Sequence, residues 1–180
     1  MATSRQDRLS PPLMHAFRTA FEKRDSKIVK NERQQGERVI ASRRTVARES
    51  ISEPELRDMV RADLTALLNT TRLESAEDLS AVPHVRKSIL NFGFPDLASR
   101  TVEESSITDI AKDVEAVLAD YEPRLKRGSV RAKRDPSAPS EEMRARFVVT
   151  AELRTHPVNL RVEFVAEVEL DSGKVKIDRL

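Results

Sequence analysis

The chain of 180 residues contains no cysteine and no tryptophan. The first absence excludes disulfides, thiolate nucleophiles and cysteine zinc sites, and is compatible with a reducing compartment. Four glycines leave little for a phosphate-cradling loop, and neither G-x-x-x-x-G-K nor G-x-G-x-x-G occurs. Six phenylalanines and one tyrosine are a poor supply of stacking platforms for single-stranded nucleic acid. No apolar run approaches the roughly 20 residues that a membrane span needs. The start, Met1 to Ser10, is polar and lacks an apolar signal core, so a cytoplasmic location is the expectation.

Charge is abundant and unevenly placed. Residues 1–50 hold twelve Lys and Arg against six Asp and Glu, a net of +6; with +2 for the whole chain, the remainder is about −4. A basic arm on a slightly acidic body suits an anionic partner, nucleic acid among them, or is simply a solvated tail. Residues 1–12 read as a flexible start. Leu13, Met14, Phe17 and Phe21 then give a short amphipathic helix whose apolar face is too narrow to be a core. From Arg24 to Ser50 charges are dense and apolar residues sparse, as in a linker that is partly helical at most, with Gly36 a weak point. Two domains follow: a basic extension with a linker over 1–50, and a folded body over 51–180.

Within the body, Ser52 and Glu55 have capping-box spacing, with Pro54 in the first turn. Leu56, Met59, Val60, Leu64, Leu67 and Leu68 form one helical face, ending near Asn69-Thr70. A second short helix is expected from His84 to Asn91, with Val85, Ile89 and Leu90 inward. Thr101 and Glu104 are a further capping box, before a stripe running from Ile107 to Tyr121. After Pro123 the period changes from about 3.6 to 2. Arg127–Arg134 reads as a weak strand, and residues 144–153 and 160–170 as half-buried strands. Asp171-Ser172-Gly173 is a hairpin turn into Lys174–Asp178. The fold class is α+β: N-terminal helices packed on a small antiparallel sheet of three or four strands at the C-terminal end. The short strands are the expected edges, with Lys174 and Lys176 on one of them, so a proline at Lys176 should delete a ladder donor of the exposed edge.

The residues offer little to catalysis. His15, His84 and His156 lie far apart and none has an H-x-x-x-H partner, so no metal site is expected. A glycosidase needs one carboxyl held protonated by an apolar setting. Glu103-Glu104 suits a helix N-terminus instead, and Glu163, Glu167 and Glu169 fall on the solvated strand face. No catalytic residue, cofactor or small-molecule substrate is assigned.

Two motifs remain. Asn91-Phe92-Gly93-Phe94-Pro95-Asp96-Leu97 is a compact apolar knot between helical patterns, expected to be structural, with Gly93 at positive φ and one of the two phenylalanines in the core. Glu122-Pro123-Arg124 places an acid and a base around a helix stop. It reads either as a surface ion pair or as a rigid corner aimed at one partner.

The helix over 55–68 ending in Leu68-Asn69-Thr70-Thr71-Arg72, the segment from Ser88 to Leu97, and Glu122-Pro123-Arg124 before the strands together resemble the type VI secretion baseplate subunit TssE. That family is similar to the phage T4 baseplate wedge protein that starts the contractile sheath. The resemblance covers about residues 53–180, and Leu9 to Asp25 also resembles the family's N-terminal extension. It implies a non-enzymatic adaptor joining the wedge core to the first sheath ring. The implied partners are other wedge subunits of the core bundle and contractile sheath subunits. Nucleic acid is not expected, and membrane contact is expected only indirectly, through the assembled baseplate. Glu122, Pro123 and Arg124 would hold the core bundle, and the edge with Lys174 and Lys176 would accept a sheath strand. The rival readings are a lysozyme-like cell-wall glycosidase and a basic-arm nucleic-acid binder.

Overall fold

The computed structural model describes residues 9–22, 33–34, 37–38, 51–97, 104–135 and 144–178. The chain divides into two compact units, Met1–Leu56 and Arg57–Leu180.

In the first unit, helix α1 (Leu13–Glu22) carries the expected stripe, and Leu13, Met14, Phe17 and Phe21 are all exposed. A minimal ladder pairs β1 (Arg33–Gln34) with β2 (Glu37–Arg38), which is not helical; the rest of the 24–50 linker lies outside the described residues. The start is not free throughout. Leu9 is buried and exchanges both backbone hydrogen bonds with buried Ile51, at 3.0 and 3.1 Å. Helix α2 (Glu53–Leu68) opens here with the capping box formed: the Ser52 N–H donates to Glu55 Oε2 at 2.9 Å, and the Ser52 hydroxyl meets the same oxygen at 2.7 Å. The Ser52 amide and hydroxyl hold the Glu55 carboxyl below its ordinary range.

The second unit is helices on one face of a four-stranded antiparallel sheet. Its strands are β3 (Arg131–Arg134), β4 (Arg144–Leu153), β5 (Leu160–Glu169) and β6 (Val175–Asp178), in spatial order β3-β4-β5-β6. Between α2 and the sheet in sequence lie the one-turn helix α3 (Pro83–Arg86) and the long helix α4 (Glu104–Tyr121). Period-2 alternation decides which sheet face is covered. Phe147, Val149 and Leu153 of β4 and Val162, Phe164 and Ala166 of β5 are all at most 1% exposed. The helices supply Val60, Leu64, Leu67 and Leu68 from α2 and Ile110, Val114, Val117 and Leu118 from α4. Each such aliphatic side chain contributes about 1.5–3 kcal/mol through burial.

Three expectations need correction. The helix over His84–Asn91 is replaced by α3, a break at Lys87-Ser88, and a 3-10 turn over Ile89–Asn91. Ile89 and Leu90, expected inward, are 81% and 66% exposed, because Asn91 takes the inward position. The weak strand begins at Arg131, not Arg127: residues 126–129 form a turn, with Ser129 N–H on Lys126 O at 3.1 Å. Glu167 is buried and not solvated, because Arg144 and Arg146 of β4 lie across it, each at 3.2 Å.

Candidate functional site

The Glu122-Pro123-Arg124 corner is built where α4 stops. The Glu122 N–H closes the last helical turn on Leu118 O (3.1 Å), and the Leu125 N–H returns to Glu122 O (3.1 Å), with Pro123 at the second position of that turn. The chain then runs beside the end of β4. Arg154 N–H donates to Arg124 O at 2.7 Å, Lys126 N–H donates to Glu152 O at 2.8 Å, and Leu125 bridges Leu153.

The two charges face each other. Glu122 is 5% exposed; its Oε1 accepts from the Arg124 backbone N–H (3.1 Å) and from Nε (2.7 Å), and its Oε2 accepts from Nη2 (2.5 Å). The same Nη2 lies 2.8 Å from Asp63 Oδ2 on α2. Burial by itself would lower the guanidinium pKa. The hydrogen bonds and charge of Glu122, then those of Asp63, outweigh it and leave the net shift upward. Arg124 thus forks onto Glu122 and fastens the end of α4 to α2 through its Nη2 contact with Asp63. Pro123 is exposed, and Arg124 keeps about a fifth of its side chain in solvent, 21%.

The Asn91–Leu97 knot sits beside this corner and is stitched to the chain just after α2. Phe94 N–H donates to Thr70 O (2.6 Å), and Arg72 N–H donates to Phe94 O (3.0 Å). Gly93, at φ +136°, passes so close that a Cβ there would lie 2.2 Å from Thr70 O. The side chain of Asn91 accepts from Glu74 N–H (2.9 Å) and donates to Arg86 O (3.0 Å). Phe94, Pro95 and Leu97 are buried, while Phe92 is half-buried and meets the Tyr121 ring edge-on at 5.5 Å. Exposed Asp96 donates its N–H to Ser75 Oγ at 3.0 Å.

The sheet has two edges, and a side chain from α4 meets one while a side chain just past the end of α2 meets the other. On β3, Ala132 N–H donates to Glu115 of α4 at 2.7 Å. On β6, the Asn69 amide behaves as a one-residue strand: its Nδ2 donates to Val175 O (2.7 Å) and its Oδ1 accepts from Val175 N–H (3.0 Å). Peptide groups alternate in direction along an antiparallel strand. With Val175 facing Asn69, Lys176 must face Glu167 of β5, its register partner, and Ile177 must face outward. A proline at Lys176 would therefore delete a donor of the internal ladder to β5, not one on the open side. An open groove of about 670 Å³ runs along this edge, lined by Asp58, Ala62 and Thr65 of α2, then by Asn69, Lys176 and Ile177.

Lys174 is exposed in the turn before β6, and Lys176 is exposed, with its Nζ 3.3 Å from Asp178. These lysines and the corner are not brought together. At 100° per residue, Asp63 lies on one flank of α2, and Asp58, Ala62, Thr65 and Asn69 lie on the other. Sequence reasoning missed Asp63, Asn69, Glu115 and Tyr121. No local signal could have found the Asn69–Val175 pairing, which joins residues 106 apart. Among the described residues no group of three His, Asp or Glu is placed to hold a metal, and no described helix is long and apolar enough to cross a membrane.

A family model described as baseplate wedge protein gp25 matches residues 54–158, more than half of the chain. Neither a curated protein nor a solved structure matches it significantly. The matched span takes in α2, the knot, the corner, β3 and β4. A structural role in a baseplate of the phage or type VI kind, among other baseplate proteins, goes with membership. The chain belongs to the family of baseplate wedge protein gp25.

Proposed function

We propose that the protein is a non-enzymatic adaptor of a type VI secretion baseplate, working in the cytoplasm. It joins the wedge core to the first sheath ring and templates sheath assembly by accepting an extended strand on the β6 edge. The observation that carries this reading is the groove beside β6, where Ile177 turns its peptide group outward and Asn69 already occupies the neighbouring place of a strand. An added strand gains main-chain hydrogen bonds, and its alternate side chains find pockets. An ordered edge held by α2 spares the first sheath contact much of the ordering cost that two flexible segments would carry. The Glu122–Arg124 corner, on the other flank of α2, serves the wedge-core side with exposed Pro123 and the free part of Arg124.

The test fills the groove without touching the core. Ala62 is exposed on α2 and lines the groove. Ala62→Trp should cut the number of fluorescently tagged sheaths per cell by about tenfold or more, an effect of blocking one strand-addition site. Co-purification with the wedge-core subunits should persist. Normal sheath numbers with this variant would show that β6 is not the template.

A further inference from the structure

Ile89 is 81% exposed and Leu90 66%, whereas single exposed apolar residues are ordinary on any surface. What sets this pair apart is how firmly its backbone is held. Ser88 Oγ accepts from Leu90 N–H (3.2 Å) and donates to Val85 O (2.8 Å). Asn91, the next residue and a buried one, fixes the turn from the other side by its bonds to Glu74 and Arg86. The Tyr121 hydroxyl donates to Asn91 O at 2.8 Å and approaches Ser88 O at 3.3 Å. Burial, then the charge of Asp120, raises the pKa of that phenol, so it stays a donor at physiological pH. The turn thus spends one buried and two half-buried polar side chains on holding two aliphatic side chains in water. Stability of the isolated unit gains nothing from that orientation, since exposed aliphatics contribute no burial.

The surroundings state what would fit. His84, Arg86 and Lys87 are exposed on the same segment. Arg86 is paired with Glu74 at 2.6 Å, while His84 and Lys87 have no ion-pair partner among the described residues. An apolar knob beside an unpaired lysine and an exposed arginine complements an apolar groove with a carboxylate rim. Tyr121, which tethers the turn, is the residue before Glu122-Pro123-Arg124, so one residue links the knob's backbone to the corner. We propose that Ile89 and Leu90 are the apolar anchor by which this protein seats in an acid-rimmed groove of another subunit of its own baseplate wedge. The proposal rests on the adaptor reading above and adds the residues that carry the contact. A preformed anchor loses little freedom on docking, which is what allows a small patch to dominate an interface.

The test uses the full-length chain, tagged and co-expressed with the other wedge subunits of its baseplate. Ile89→Ser combined with Leu90→Ser should leave the melting temperature within about 2 °C of the wild type, as for surface positions. It should lower recovery of the wedge subunits by about tenfold or more. Ile89→Val with Leu90→Met should restore recovery, and Lys87→Glu should lower it less, most visibly at low salt. Full recovery with the double serine variant overturns the proposal. So does a melting temperature that falls by more than about 5 °C, because the pair would then be packed by its own chain. If the wild-type protein itself recovers no wedge subunit, the adaptor reading fails as a whole; loss confined to the serine variant separates the two cases.

Discussion

The knot and the β6 edge lie at the two ends of one short path, residues 69–97 and the strand they reach, yet they are finished in opposite ways. In the knot, the peptide groups of Thr70, Arg72 and Phe94 pair with one another, and the backbone at Gly93 approaches Thr70 too closely for any side chain. On β6, one outward peptide group is met by a single side-chain amide and the next faces a groove. A region closed backbone to backbone can only be broken. A region whose hydrogen bonds are completed by a side chain can be exchanged for a partner. The first suits a fixed platform and the second an assembly site.

Gly93→Val should break the comparison hardest. Its Cβ would collide with backbone at Thr70 and Arg72, and neither can move without unpicking the Phe94 bonds. A loss of about 3 kcal/mol or more is expected in urea unfolding. A variant of normal stability that fails only in assembly would move the knot from the platform to the assembly side.

Arg124→Ala comes next. It strands the buried Glu122 carboxylate and releases Asp63, at a cost of about 2–3 kcal/mol, discounted from a fully buried pair for the solvent that reaches Arg124. A surface ion pair or a partner-facing corner, as the sequence reads it, could be lost without unfolding, a separable role. The geometry predicts that stability and wedge-core recovery fall together. An unchanged melt with lost recovery would restore the separable role.

Asn69→Ala should cost about 1–2 kcal/mol, since water in the groove can take over part of the lost bonding. The sharper readout is hydrogen exchange. The Val175 amide should lose protection while the amides of β4 keep theirs, and equal protection in both proteins would mean that Asn69 does not cap the edge.

The smallest effect lies at the start of α2. Ser52→Ala should cost about 0.5–1 kcal/mol at neutral pH. The Glu55 carboxyl has a lowered folded pKa, so its contribution is present above the ordinary carboxylate value and fades as pH falls through the lowered one. Wild type and Ser52→Ala should therefore converge in strong acid. A gap that persists there would assign the effect to helix propensity alone.

What could be read from the chain was whatever local chemistry enforces. The capping box at Ser52 and Glu55, the stripes of α2 and α4, the alternation of β4 and β5 and the turn at Asp171–Gly173 all depend on neighbours within a few residues. They appear where the spacing put them. The short elements did not follow the pattern. Residues 83–91 have enough apolar side chains for an inward helix, but Asn91 and Tyr121, 30 residues apart, decide their direction. Glu167 reads as a solvated alternate position, and only the register with Arg146 shows that it is covered.

By itself the sequence determined the class of the fold, the two short strands at the sheet edges and the two motifs that lie inside the family match, because periodicity and backbone restrictions act locally. Only the tertiary structure decided which way charge and peptide groups face. Arg124 turns to Glu122 and Asp63, Asn69 stands in for a strand at Val175, and Ile89 and Leu90 are left outside. Those outcomes depend on which distant group can satisfy a buried polar atom, and that is settled only when the elements pack.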